Sequence, residues 1–297
     1  MNTIDILCVG AAAYDLTFVT SHHPREDEKM VADEYYTCGG GPAANAAVAA
    51  KRLGCSTAFA GYLGDDIYGN MHFNELVSEG VLTEWIIRGN HPTTFSVSIV
   101  KNNGRRSLIN YRGRTPYLEQ GSIGFRNIKP KIILFDGHEP NLSPELIDFC
   151  RKNNVTTILD AGSLHKGTEY LMDKTDYLIC SQVFAEQFSG TKDMPSALEI
   201  LSGFSSAVII TLGENGLLWK RGDETGDMPA YTVNTVDTTG AGDAFHGAFA
   251  ASLIKGMDFE ESLRFSSIAA ALTCTKIGGR NGLPYIQDIK DLVWKKN

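Results

Sequence analysis

The chain is predicted to fold as an α/β domain: a mainly parallel sheet with helices on both faces and a small antiparallel sheet attached. Three observations carry this. Short apolar runs of strand length alternate with helix-period segments along most of the 297 residues. Several of the 30 glycines cluster where a strand passes into a helix. One hairpin-like segment breaks the alternation.

Taken in order, 6–10 (ILCVG) reads as a buried strand, and 43–53, stopped by Gly54, as a helix. A strand near 56–62 and a helix near 69–79 follow. Further strands are expected at 131–135, 156–159, 177–180 and 208–211, with helical patterns at 144–153 and 196–202 between them. Residues 94–100 alternate as a strand, Asn102-Asn103-Gly104 is a turn signal, and 106–111 form a less regular return strand. Residues 15–37 lack helical periodicity and are expected to supply the remaining strands of a small lid. The lid then spans about 15–37 and 92–115 of one domain covering 1–297. Phe95, Val97, Ile99, Leu108 and Tyr111 give the hairpin two partly apolar faces. One face is expected to meet a second lid across a two-fold axis, in a homodimer.

Composition narrows the function. Lys and Arg number 27 against 35 Asp and Glu, a net charge of −8, which argues against a nucleic-acid partner. No apolar run is long enough to cross a bilayer, no export signal is visible, and a cytoplasmic location is expected. Six scattered cysteines without a CxxC pair read as free thiols, and the seven histidines show no metal-ligand spacing.

The most informative segment is Asp237-Thr238-Thr239-Gly240-Ala241-Gly242-Asp243, running into an apolar helix. Small residues at a helix start leave backbone N–H groups open to an anion, and the helix dipole favours phosphate there. Asp243 in that first turn either satisfies helix amides or takes a proton from an attacking hydroxyl. The flanking glycines and buried helix favour the catalytic reading. A second cluster, Gly39-Gly40-Gly41-Pro42-Ala43-Ala44-Asn45, opens an Ala-rich helix. Asn45 reads equally as a sugar-hydroxyl partner or as a solvent-facing amide. Thr211, Gly213 and Gly216 at a strand end fit a nucleotide edge or an ordinary turn. Asp15, after the first strand, either bonds a polyol or caps a turn. Trp85 and Trp219 read as packing residues.

These two long motifs, far apart and in this order, resemble the ribokinase-like, PfkB-type carbohydrate kinases over essentially the whole chain. The resemblance implies a ribokinase-like three-layer α/β/α sandwich with a β-sheet lid, and transfer of the ATP γ-phosphate to a sugar hydroxyl with Mg²⁺. It implies Asp243 as base and Gly240, Ala241, Gly242 and Asp243 as an anion hole. Asp15, Gly40, Gly41 and Asn45 would hold sugar, while Ser181, Thr211, Gly213, Gly216 and Ser267 would border ATP. Asp237 and Thr239, closed by loop 273–282, match a monovalent-cation site, so K⁺ activation is also implied. The chain departs from the family where many members carry Asn-x-x-Glu; here the stretch reads Ser181-Gln182-Val183-Phe184, with Glu186 further on. Relatives of ketohexokinase and sulfofructose kinase share that loss, and the GGGPAANAAVA run resembles the latter. Lys29 and Asn110 are similar to residues that kinase uses around its sulfonate, but His138 stands where it would supply an arginine. A neutral ketohexose such as fructose is therefore the expected substrate. The alternatives are an adenosine-type nucleoside kinase and a non-catalytic sugar- or nucleotide-binding regulator.

Overall fold

The structure, a computed structural model, describes residues 2–101, 106–125 and 128–293. The chain begins β1 (Asn2–Val9), β2 (Ala13–Thr20), β3 (Glu34–Gly40), α1 (Pro42–Arg52), β4 (Thr57–Gly64), α2 (Ile67–Ser78) and β5 (Leu82–Gly89). It continues with β6 (Phe95–Lys101), β7 (Arg106–Tyr111), β8 (Ile128–Phe135), α3 (Ser143–Asn153), β9 (Thr156–Ala161) and α4 (Lys166–Leu171). Then come β10 (Tyr177–Ser181), α5 (Gln182–Ser189), α6 (Met194–Leu201), β11 (Ala207–Thr211), β12 (Leu217–Arg221) and β13 (Glu224–Met228). Helices α7 (Ala241–Ile254), α8 (Phe259–Thr273) and α9 (Ile286–Val293) complete it.

Among the described residues the large sheet has nine strands in the order β13-β12-β11-β10-β9-β8-β1-β4-β5. It is parallel apart from the β11-β12-β13 edge. Alternate strand residues feed two separate cores. Ile6, Cys8, Ile132, Leu134 and Ile209 pack toward α1, α7 and α8, whereas Leu7, Val9, Ile133, Phe135 and Val208 pack toward α3, α5 and α6. Burial on both faces explains the nearly continuous apolar runs in the sequence. None of the described helices is long and apolar enough to cross a membrane, and Cys8, Cys38, Cys55, Cys150 and Cys180 are buried free thiols. Trp219 packs edge-on against Phe259 in the core.

The smaller sheet has the order β3-β2-β6-β7, with β2 and β6 parallel. The turn signal at Asn102, Asn103 and Gly104 lies outside the described residues. The two partly apolar faces expected of the hairpin are unequal. Register places Phe95, Val97 and Ile99 on one face with Ile109 and Tyr111, while Ser96 and Ser98 face the other way with Asn110 and Leu108. The inner face is mostly polar because it lines the cavity described next, with Val100 and Leu108 as its apolar members; most of the apolar set lies on the outer face.

α1 and α7 pack against each other through small side chains. A Cβ on Gly247 would come within 2.5 Å of the Ala46 carbonyl oxygen and 2.9 Å of the Ala49 Cβ. Only glycine lets the two helices approach this closely, and that approach brings both motif segments to one point.

Candidate active site

Two cavities stand out. One, of about 810 Å³, lies at the N-terminal ends of β9, β10 and β11, among Thr156, Asp176 and Ala207. The other, of about 650 Å³, lies at the opposite strand ends, between the small sheet and the starts of α1 and α7. Open α/β sheets bind ligands at carboxyl strand ends, and there the motif residues converge. The second cavity is therefore the candidate site. It is lined by Asp15, Gly41, Asn45, Asn110, His138, Thr239, Gly240 and Asp243 from the predicted set. Gly40 borders it, because a Cβ there would stand 2.2 Å from Asp15 Oδ2.

Asp243 opens on the cavity from the first turn of α7. The N-cap position is Gly240, and the Asp243 Oδ2 accepts from Asn45 Nδ2 at 2.7 Å. Gly240 holds φ +79°, and a Cβ there would stand 2.3 Å from the Gly279 carbonyl oxygen. The Ala241 amide donates to Thr238 O at 3.3 Å. The Gly242 and Asp243 amides, in the first turn, have no acceptor within the helix and remain for an anion. Burial, and then the neighbouring Asp160 carboxylate, push Asp243 from 3.8 up to about 7.

Asn45 is buried rather than solvent-facing. Its Oδ1 accepts from Arg280 Nη2 at 2.9 Å and Nε at 3.2 Å. Arg280 is itself fully buried and approaches Glu75 Oε1 at 3.4 Å, a charge contact rather than a formed hydrogen bond. Asp15 sits within β2 and caps no turn; its Oδ1 accepts from Ser96 Oγ at 2.5 Å across the sheet. Burial raises its carboxyl above the usual value, partly offset by Ser96, Arg280 and Arg106.

A charged corner follows β8. Burial would push the His138 ring down, but the adjacent Asp136 carboxylate reverses this and pushes it up to about 9. Asp136, though buried, is held below the usual range by the His138 charge and by hydrogen bonds from the His138 and Ala11 amides. His138 is thus a cation at neutral pH. Burial drives neighbouring Glu139 up to about 7.

Several expected residues lie elsewhere. Lys29 is exposed in the β2–β3 connection and does not line the cavity. Ser181, Thr211, Gly213, Gly216 and Ser267 lie at the ends of β10 and β11 and on α8, outside the cavity lining. Ser181 Oγ caps α5 and donates to Gly162 O at 2.9 Å, and Thr211 Oγ1 donates to Cys180 O at 3.2 Å. Asp237 Oδ1 accepts from the Thr239 amide at 3.0 Å and its hydroxyl at 2.7 Å, and Oδ2 from the Gly278 amide at 2.9 Å. Sequence reasoning missed Asp136, Asp160, Arg106 and Arg280. Arg106 reaches from β7 to the Thr239 hydroxyl. A single carboxylate at the carboxyl end of an apolar strand, as in TILDA, was the available signal for Asp160.

A sequence model of pfkB family carbohydrate kinases matches residues 3–286. Ribokinase of Bacillus subtilis is 28% identical over 294 residues, covering 97% of this chain and 99% of its own. A crystal structure from Agrobacterium tumefaciens, provisionally named a ribokinase, superposes with a TM-score of 0.93 at 26% identity over 100% of both chains. Arabidopsis thaliana ribokinase, solved with ribose and ATP, superposes with a TM-score of 0.85 at 25% identity over 99% of both.

Proposed function

This chain belongs to the pfkB family of carbohydrate kinases, and from that premise we propose that it transfers the ATP γ-phosphoryl group to a hydroxyl of a small free sugar, with Asp243 as general base. The observation that carries the assignment is the Asp243 carboxylate beside open helix amides, bonded to Asn45 and facing a cavity lined by Asp15 and Asn110. Asp15 accepts from sugar hydroxyls, Asn110 accepts from or donates to them, and Asn45 has one N–H left to donate. Asp243 takes the proton of the attacking hydroxyl, and the amides at the start of α7 receive charge developing on the transferring group.

A magnesium ion arriving with ATP would neutralise its phosphates. Phosphate and water oxygens would supply most of its shell, since none of the described His, Cys, Asp and Glu side chains form a group able to hold a metal alone. The Asp237 carboxylate and the Thr239 carbonyl would border a monovalent cation such as K⁺. Three hydrogen bonds tie Asp237 to Thr239 and Gly278 and fix the two loop segments against each other.

A neutral ketohexose such as fructose is our first substrate. It is supported by the hydroxyl partners Asp15, Asn45 and Asn110 in the cavity; Lys29 lies away from it, while Arg106, Arg112 and His138 line it and leave room for the ATP phosphates. Ribose is the second, because Bacillus subtilis ribokinase and Arabidopsis ribokinase match nearly end to end. An ATP-consumption screen over ketoses, aldoses, sugar phosphates and nucleosides tests both. Turnover confined to nucleosides, or none with any sugar, overturns the proposal.

The outer face of the small sheet exposes Tyr35, Ile109 and Tyr111. We assign it to a homodimer joined through the two lids, which would close over bound sugar and keep water from the phosphoryl group. Five buried free thiols and ATP as co-substrate fit a cytoplasmic setting.

A further inference from the structure

His246 is buried one helical turn beyond Asp243, and the kinase motif gives it no part. Its Nδ1 stands 2.6 Å from the Gly242 carbonyl oxygen and 3.2 Å from Asp160 Oδ2. Its Nε2 stands 3.2 Å from the Ile179 carbonyl oxygen. Asp160 and Ile179 are themselves cross-strand partners on β9 and β10, so the ring bridges one register pair. The carbonyls can only accept hydrogen bonds, and the carboxylate when ionised does the same. The shorter contact is the one at Nδ1, so the ring donates there to the Gly242 carbonyl. Gly242 C=O and the Asp243 N–H belong to one peptide group. A ring that fixes that carbonyl fixes an amide of the anion hole.

We propose that His246, paired with Asp160, is a positioning residue of the phosphoryl-transfer site, which orients the Gly242–Asp243 peptide behind the base. The inference rests on the reading of Asp243 as that base. The other charged groups facing this cluster are Asp136 and His138 at the end of β8 and Asp15 on β2. The two partners act on Asp243 in opposite senses: Asp160 raises its carboxyl and His246 lowers it. His246 stays clear of the cavity lining, whereas Asp160 reaches it.

The test combines kinetics with ring spectroscopy. His246→Gln should lower kcat about 10-fold with both KM values within about 3-fold, and should move the acid limb of the kcat profile to higher pH. Asp160→Asn should move the same limb to lower pH. Residues that merely fill space would not shift the limb in opposite directions. Limbs that stay put or move together, while Asp243→Asn is inactive, overturn the proposal. Asp243→Asn turning over like wild type overturns the base assignment beneath it. Nitrogen-15 NMR of wild-type protein with labelled histidine needs no variant to fold. The His246 Nδ1 signal should shift when a non-hydrolysable ATP analogue is added, and a signal unmoved at saturation overturns the proposal by itself.

Discussion

Asn45 donates to Asp243 at 2.7 Å across 198 positions of sequence, and the direction of that bond is fixed. Arg280 is a donor without acceptor capacity, so the Asn45 oxygen must face it and the NH₂ must face the carboxylate. A flipped amide would set N–H against guanidinium and oxygen against carboxylate.

Replacing Asp243, the proposed base, should separate turnover from folding. Asp243→Asn is expected to lower kcat by roughly 10²–10⁴-fold. The folded-state carboxyl, at about 7, lies above its ordinary 3.8, so the folded chain binds the proton more tightly. Its contribution to stability falls as pH rises through that window and is at its lowest above it. The variant should therefore melt at or above the wild-type temperature at pH 8. Calorimetry alongside steady-state kinetics checks both.

The same shift sets a pH profile. Only the deprotonated carboxylate accepts the substrate proton, so kcat/KM should climb about tenfold per unit up to about 7 and then level. A limb centred near the ordinary carboxyl value would remove burial and Asp160 from the account.

Arg280→Met removes both donors from the Asn45 oxygen and leaves it buried and unpaired. A destabilisation of about 1–3 kcal/mol is expected, with kcat falling and the sugar KM rising because the amide can turn over. Chemical denaturation and sugar titrations read the two effects separately. Unchanged kinetics would show that Asn45 is oriented by something else.

Gly247→Ala inserts a methyl within 2.5 Å of the Ala46 oxygen. Forcing α1 and α7 apart should destabilise the fold by about 1–3 kcal/mol and lengthen the Asn45–Asp243 bond, lowering kcat. The equivalent change at Gly213, where a Cβ meets nothing within 4 Å, should strain the backbone without touching that bond.

Ile109 is exposed on the outer face of the lid sheet. Ile109→Lys should convert a two-chain species in light scattering to one chain at micromolar concentration. A wild-type mass of one chain at every concentration with sugar present would remove the dimer.

Much of this architecture could be read from local signals. Strand runs such as ILCVG and KIILF are apolar on both faces because helices cover both, and glycine stops mark the helix ends. Asp243 and Asn45 were legible because each stands as a polar residue among glycine and alanine. What could not be read was pairing. The Arg280–Asn45 contact spans 235 positions and leaves no local trace. His138 was visible as a residue, but its charge depends on Asp136 and on how deeply both are buried. The imbalance between the hairpin's two faces was hidden for a related reason: alternation shows that faces differ, while the cavity that makes one of them mostly polar is built by other parts of the chain.

The tight seam between α1 and α7 also has a consequence in time. On a ribosome, α1 emerges with β1 and β4 nearly 190 residues before α7 exists, its alanine face bare. The early half can pair its strands but has nothing to close over that face. Contacts of such long sequence separation form late and slowly, and exposed apolar surface meanwhile invites misassembly. A nascent chain should therefore stay protease-sensitive, and unable to retain sugar, until α7 and the Arg280 loop have both been released. The catalytic constellation and the last step of folding would then be one event.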